Sequence, residues 1–270
     1  MEQEIISRIS KGSKMDQIYI PKNRIGLTSG SLVVIKPLIQ EEHAKLQLRG
    51  KHFLYGVNKI ESIKIEIINR VFSIIEKNTK EVKNIIIFGS FLEEGFYFND
   101  LDILIISEKE ISDRLLKAEI SAEIGVKTHI LQMTSEELIE GLKYDPLYLN
   151  MISRCVAKNR IVFNIKRKIN AQLLDLNLLK SKTLIDNFDA LSGREMYYLT
   201  KNMIAILLFI RRKNISSDSI DKEIKKIFKI DSGDIKEKIL NKNKFLIKYK
   251  EVYEKIFKLI IGTKNKNGSK

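Results

Sequence analysis

Asp100 and Asp102 stand one residue apart at the start of an apolar run, and ten residues before Asp100 comes the pair Gly89-Ser90, which closes another. Each part of this string suits phosphate chemistry. A strand that ends in Gly-Ser and opens a helix directs backbone N–H groups, a hydroxyl and the positive end of the helix dipole at one spot, which is how an anion such as phosphate is held. Gly89 has no Cβ, so a triphosphate can come close to the backbone. Residues i and i+2 of a strand project from the same face, so the two carboxylates converge. Two carboxylates beside a phosphate site can hold one or two Mg²⁺ ions. Without a cation, a like-charged pair among apolar neighbours is costly. An Asp-x-Asp on its own also fits a solvated pair at the end of a loop. The metal reading rests on the complete order of strand, Gly-Ser, spacer, Asp-x-Asp and strand.

The elements that must position these residues follow from periodicity. Val57 to Asn78 carries isoleucines at helical spacing, from Ile60 through Ile63, Ile67 and Ile68 to Ile74 and Ile75. Val82–Phe88 and Leu101–Ile106 read as buried strands, and Val126–Met133 as a third. Between the last two, Ser112 to Glu123 predicts a helix with Ser112 as N-cap and Gly125 as stop. Thr134 three residues before Glu137 has the spacing of a capping box and starts another helix. Asp145 to Asn164 predicts a helix followed by a short apolar segment, Ile161–Phe163. From Lys166 the pattern is helical: a leucine-rich segment around Leu173–Leu179, then Met196–Arg212, Ile220–Ile230 and Ile235–Ile261, with a disordered tail expected from Thr263. At the front, residues 1–56 read as a small β-rich unit, with strands at Gln17–Ile20 and Ser31–Ile35 around the turn-bearing stretch Pro21–Gly30.

Phe88-Gly89-Ser90 and Asp100-Leu101-Asp102-Ile103 resemble the signature of the DNA polymerase β-type nucleotidyltransferase superfamily, over roughly residues 57–165. Within it, the chain resembles the minimal nucleotidyltransferases. The resemblance implies an α+β fold with a mixed sheet, and transfer of a nucleoside monophosphate from a metal-bound NTP to an acceptor hydroxyl. It implies that Gly89 and Ser90 hold the triphosphate and that Asp100 and Asp102 hold Mg²⁺ (or Mn²⁺), with ATP or another NTP as substrate. Two features depart from the family pattern. A third carboxylate is expected on the strand Val126–Met133, and counting back from Thr134 its place is taken by His129. Imidazole ligates Mn²⁺ or Zn²⁺ but is a poor ligand for Mg²⁺; it can also serve as a general base or be purely structural. After Gly-Ser, where members often carry Arg or Lys, this chain has Phe91-Leu92-Glu93-Glu94, whose acids would repel a triphosphate unless they turn outward. The helical C-terminus resembles the HEPN-type bundles that accompany minimal nucleotidyltransferases. No histidine follows His129, so the Arg-spacer-His ribonuclease motif of such bundles is absent. Residues 18–37 resemble the strand–loop–strand half of AbrB-like DNA-binding proteins, with a generic hairpin as the alternative.

Charge divides the chain. Residues 166–270 hold 25 Lys/Arg against 12 Asp/Glu, a formal +13 of the chain's +14. Such a field attracts polyanions, RNA or another nucleic acid among them, although a lysine-rich solubilising surface produces the same count. Arg211-Arg212-Lys213 is the densest basic cluster; it is a candidate anion contact and also suits the C-terminal dipole of the helix before it. The single cysteine, Cys155, excludes an internal disulfide and a cysteine-based zinc site, and is expected to be buried and inert. His43 and His52 have no ligand spacing. The longest apolar stretch, Met203–Ile210, is far shorter than a membrane span, and the charged N-terminus is unlike a signal peptide, so a cytoplasmic protein without membrane contact is expected. The expected organisation is a β-rich unit (1–56), a nucleotidyltransferase domain (57–165) and a basic helical bundle (166–270). The acceptor could be RNA, a protein or a small molecule. The competing function is a nucleic-acid-binding or antitoxin-like regulatory module that has this fold without its chemistry.

Overall fold

The computed structural model describes residues 9–10, 16–18, 20, 33, 52–79, 81–96, 98–162 and 164–267. The chain is α+β and forms two compact units, one running to Ser135 and taking back Cys155–Val162, the other holding Glu136–Arg154 and everything from Phe163.

In the first unit, β1 (Ile9–Ser10) and β2 (Gln17–Ile18) form a short antiparallel pair. The strand expected from Gln17 therefore pairs with a segment before it. Its expected partner at Ser31–Ile35, the loop Pro21–Gly30 that carries the AbrB-like resemblance, and His43 lie outside the described residues, apart from Val33. The sheet is built from β3 (Phe53–Tyr55), β4 (Val82–Phe88), β5 (Asp100–Ser107), β6 (Lys127–Met133) and β7 (Cys155–Ala157). Their order is β3-β7-β4-β5-β6, antiparallel throughout except for the parallel pair β5–β6. A parallel pair needs a crossover, and here it is supplied by α2 (Asp113–Ile124), which ends at Gly125 in the left-handed conformation. Ser112 precedes that helix as expected, but its side chain makes no capping bond.

The hydrophobic core of this unit lies between the sheet and the helices α1 (Ser62–Asn78) and α2. Ile85 and Ile87 of β4 meet Leu101, Ile103 and Ile105 of β5 there, together with Ile68, Val71 and Ile75 of α1 and Leu116, Ile120 and Ile124 of α2. Helix α1 starts later than the isoleucine spacing predicts. Glu61 is its extended N-cap residue, and residues 57–60 precede it without regular structure. His52 bonds through Nε2 to Asn69 Oδ1 at 2.8 Å and meets the edge of Phe72, a packing role in keeping with its lack of ligand spacing.

The strands β3 and β7 were not expected. Residues 53–55 leave the proposed N-terminal unit to pair with Cys155–Ala157, and the Tyr55 hydroxyl accepts a bond from the Ile161 amide at 2.7 Å. The short apolar segment expected from Ile161 has no regular structure at 161–162; the sheet uses residues just before it.

The second unit is helical: α3 (Ser135–Tyr144), α4 (Pro146–Ser153), α5 (Ala171–Asp186), α6 (Gly193–Ile210), α7 (Ser217–Phe228), α8 (Ser232–Lys236) and α9 (Lys242–Asn267). Helix α6 is its axis. Every residue from Met203 to Phe209 is buried, as a helix packed on all sides requires. Its start is fixed by a capping box between Ser192 and Glu195. The helical segment expected from Ile235 forms two helices, α8 and α9, and α9 continues through residues 263–267, which were expected to be disordered. No helix among the described residues is long and apolar enough to cross a membrane.

Candidate metal centre

Register brings the site together. In the ladder, Cys155 of β7 is opposite Phe88 of β4, Phe88 is opposite Asp102 of β5, and Asp102 is opposite His129 of β6. Residues paired in this way share a face of the sheet. Asp100 lies two residues before Asp102 and joins it there. Leu101, Ile103 and Ile105 take the other face, against α1 and α2. The carboxylates thus stand on the side of β5 that faces away from the helical core.

His129 turns its Nδ1 towards both of them, 3.3 Å from Asp100 Oδ2 and 3.6 Å from Asp102 Oδ1. One donor atom from each of the three residues lies within 4.8 Å of the others. The aspartates are about one-quarter exposed and the histidine about half, so the cluster opens to solvent on the histidine side. Burial raises the Asp102 carboxyl above its ordinary pKa, and the neighbouring charge of Asp100 raises it further; His129 works in the opposite direction. A divalent cation would relieve both causes at once.

Gly89 has a second role beyond the one its sequence position suggests. Its φ of 83° and ψ of −161° form a conformation essentially reserved for glycine. A Cβ built there would collide with Asp102 Oδ2. The glycine therefore lets the Asp102 carboxylate lie against the backbone at the end of β4. Gly89→Ala should cost about 1–3 kcal/mol of stability from backbone strain and should drive Asp102 out of the cluster. Thermal unfolding with and without Mn²⁺ checks this: the variant should melt lower and lose most of the metal-dependent shift, whereas an unchanged shift would mean Asp102 stays in place.

Ser90 does not open a regular helix. Ser90–Leu92 is a single 3₁₀ turn, closed by Leu92 N–H on Gly89 O at 3.3 Å and Glu93 N–H on Ser90 O at 3.1 Å. The helix-dipole contribution expected after Gly-Ser is therefore missing, and what remains for an anion is the partly exposed Ser90 and the turn's own backbone.

The segment that follows is clasped by a buried lysine of α1. Lys64, on α1, is fully buried and donates from Nζ to Glu93 O at 2.5 Å and to Gly95 O at 2.7 Å, while pairing with Glu61 Oε2 at 2.8 Å. Glu61 Oε1 accepts the Gly95 amide. Phe91, Phe96 and Phe98 surround the ammonium, with ring centroids 5.5–5.7 Å away. This clasp fixes the link from β4 to β5 at its middle. Of the two acids after Gly-Ser, Glu93 gives its carbonyl to the clasp, and Glu94 is turned out towards Lys59 at 3.9 Å. The available signal was a lysine four residues after Ile60 and four before Ile68, on the stripe that otherwise faces the core.

Among the other expected residues, Cys155 is buried, and burial pushes its thiol up to about 12, so it is inert at neutral pH. Arg211-Arg212-Lys213 ends α6 in the helical unit. Arg211 approaches Glu223 at 3.4 Å, Arg212 has φ 55°, and the Lys213 carbonyl accepts a bond from Arg167; all three basic residues are exposed.

The donor set fits a divalent cation: two carboxylate oxygens and an imidazole nitrogen converge with nothing bulkier than Gly89 behind Asp102. In comparisons with known proteins, the chain matches no family model and no curated sequence.

Proposed function

We propose that the protein is a metal-dependent nucleotidyltransferase with the fold of the polymerase β-type superfamily, moving a nucleoside monophosphate from an NTP, ATP foremost, to an acceptor hydroxyl. The observation that carries this reading is the convergence of Asp100, Asp102 and His129 beside the Gly89-Ser90 turn.

In this reading Asp100 and Asp102 hold the cation and Ser90 contacts the triphosphate. A bound divalent cation neutralises phosphate charge and orients the α-phosphate for in-line attack. The acceptor oxygen forms a bond to the α-phosphorus, the bond to the β-phosphate oxygen breaks, pyrophosphate leaves with the electron pair and the hydroxyl proton passes to water. The protein's own contribution is positioning, which suits a site whose members sit on adjacent strands. The helical unit, with its formal +13 over residues 166–270, is assigned the binding of an acidic acceptor such as RNA.

Incubation of the full chain with α-labelled NTPs, Mg²⁺ or Mn²⁺ and cellular RNA or lysate tests this directly. Transfer of label to a macromolecule is the expected result. Binding of nucleotide or nucleic acid without transfer under any metal would instead favour the regulatory-module function, for which the replacement of a third carboxylate by His129 is the supporting observation.

A further inference from the structure

We infer that this site takes a first-row transition ion of the Mn²⁺ class in preference to Mg²⁺, with His129 Nδ1 as a direct ligand. The inference rests on the metal reading of the cluster but not on the transfer reaction itself. The first reason is geometric. Two donors at right angles about an ion with 2.1–2.2 Å bonds are roughly 3 Å apart. Nδ1 is 3.3 and 3.6 Å from the two carboxylate oxygens, so small side-chain adjustments place all three on one ion. A half-exposed ring on an edge strand has room for that adjustment. The second reason is donor chemistry. Mg²⁺ is hard, favours oxygen and gives up its water reluctantly, whereas imidazole nitrogen suits transition ions. The third is charge. Two carboxylates and a neutral ring offer a formal −2 where three carboxylates would offer −3. That lowers the attraction for any divalent cation, and the nitrogen offsets it only for ions that bind nitrogen well. His129 is the residue opposite Asp102 in the parallel ladder, so its place in the cluster is set by register.

Mn²⁺ titrated into the full chain and followed by electron paramagnetic resonance tests this. The bound ion should show a ¹⁴N coupling, and Mg²⁺ should displace it only at roughly 100-fold excess or more. His129→Ala should abolish the coupling and weaken Mn²⁺ binding about 10-fold or more, and His129→Asp should remove the coupling while bringing Mg²⁺ close to parity with Mn²⁺. Circular dichroism of both variants confirms that they fold. A bound ion with no ¹⁴N coupling, or displacement by equimolar Mg²⁺, overturns the inference, as does the absence of Mn²⁺ binding below millimolar concentration. Mn²⁺ binding with ¹⁴N coupling but no NMP transfer would leave the inference standing and count against the transferase reading alone.

Discussion

Asp102→Asn should reduce NMP transfer roughly 10³-fold or more and, in the metal-free protein, raise the melting temperature. The two effects have one cause. Burial, and after it the charge of Asp100, hold the Asp102 carboxyl above its ordinary pKa. The folded state therefore binds this proton more tightly than the unfolded chain does. The group favours folding at acidic pH, and that contribution is lost as pH rises through the raised folded-state pKa. At neutral pH the ionised carboxylate is a net burden on the metal-free fold. Asparagine keeps the shape without the charge, and relief of about 1 kcal/mol corresponds to a rise of about 2–4 °C. Saturating Mn²⁺ should reverse the order, because a ligand at about 100 times its Kd adds about 2.7 kcal/mol to the wild-type protein only. Calorimetry with and without Mn²⁺, run beside the transfer assay, reads all of this. A variant that melts below the wild-type protein without metal, or that still transfers label, removes the basis for placing the cation on Asp102.

What the sequence reveals of this site is what local periodicity can carry. The alternation within Asp100-Leu101-Asp102-Ile103 places both acids on one face whatever the rest of the fold does. His129 is found by counting within its own strand, and the parallel ladder then sets it opposite Asp102. The strands β3 and β7 were hidden for the opposite reason. Each has three residues, too few to show a period, and they meet across about a hundred positions of chain. Their pairing is specified by burial of Cys155, Val156 and Ala157, which no local pattern announces. The break at residues 237–241, between α8 and α9, was likewise unreadable from apolar spacing. It has Lys238 in a left-handed conformation, donating from Nζ to the carbonyls of Asp189 and Leu191. Just beyond the turn after Gly89-Ser90, a distant lysine ties down the carbonyls of Glu93 and Gly95, and that is tertiary information.

Lys64→Met should strongly destabilise the sheet unit, costing about 3–5 kcal/mol. The methionine fits the cage of Phe91, Phe96 and Phe98, so the loss does not come from packing volume. It comes from what stays behind. Glu61 would keep a buried charge supported by backbone amides alone, that of Gly95 and its own, and the carbonyls of Glu93 and Gly95 would lose the donor they share. Burial acts to raise the Glu61 pKa, but the Lys64 hydrogen bond and the Gly95 amide outweigh it and hold it below its ordinary value. Its contribution is therefore fully present above the ordinary glutamate range and is lost as pH falls through the lowered value. The Lys64 ammonium is depressed, first by burial and against the pull of Glu61, so by itself it is a burden on the fold at neutral pH. Each charge is tolerated here because the other is present. Glu61→Gln combined with Lys64→Met should consequently recover most of the stability, since no unpaired charge is then buried, and urea unfolding of the two single variants and the double measures the coupling. Recovery of stability need not restore the site. Without Nζ on its two carbonyls, the link from Gly89 to Asp100 is free to take other paths, and those residues position both the turn and the first carboxylate. The double variant should therefore fold like the wild-type protein yet bind Mn²⁺ more weakly, and equal binding would confine Lys64 to a purely structural role.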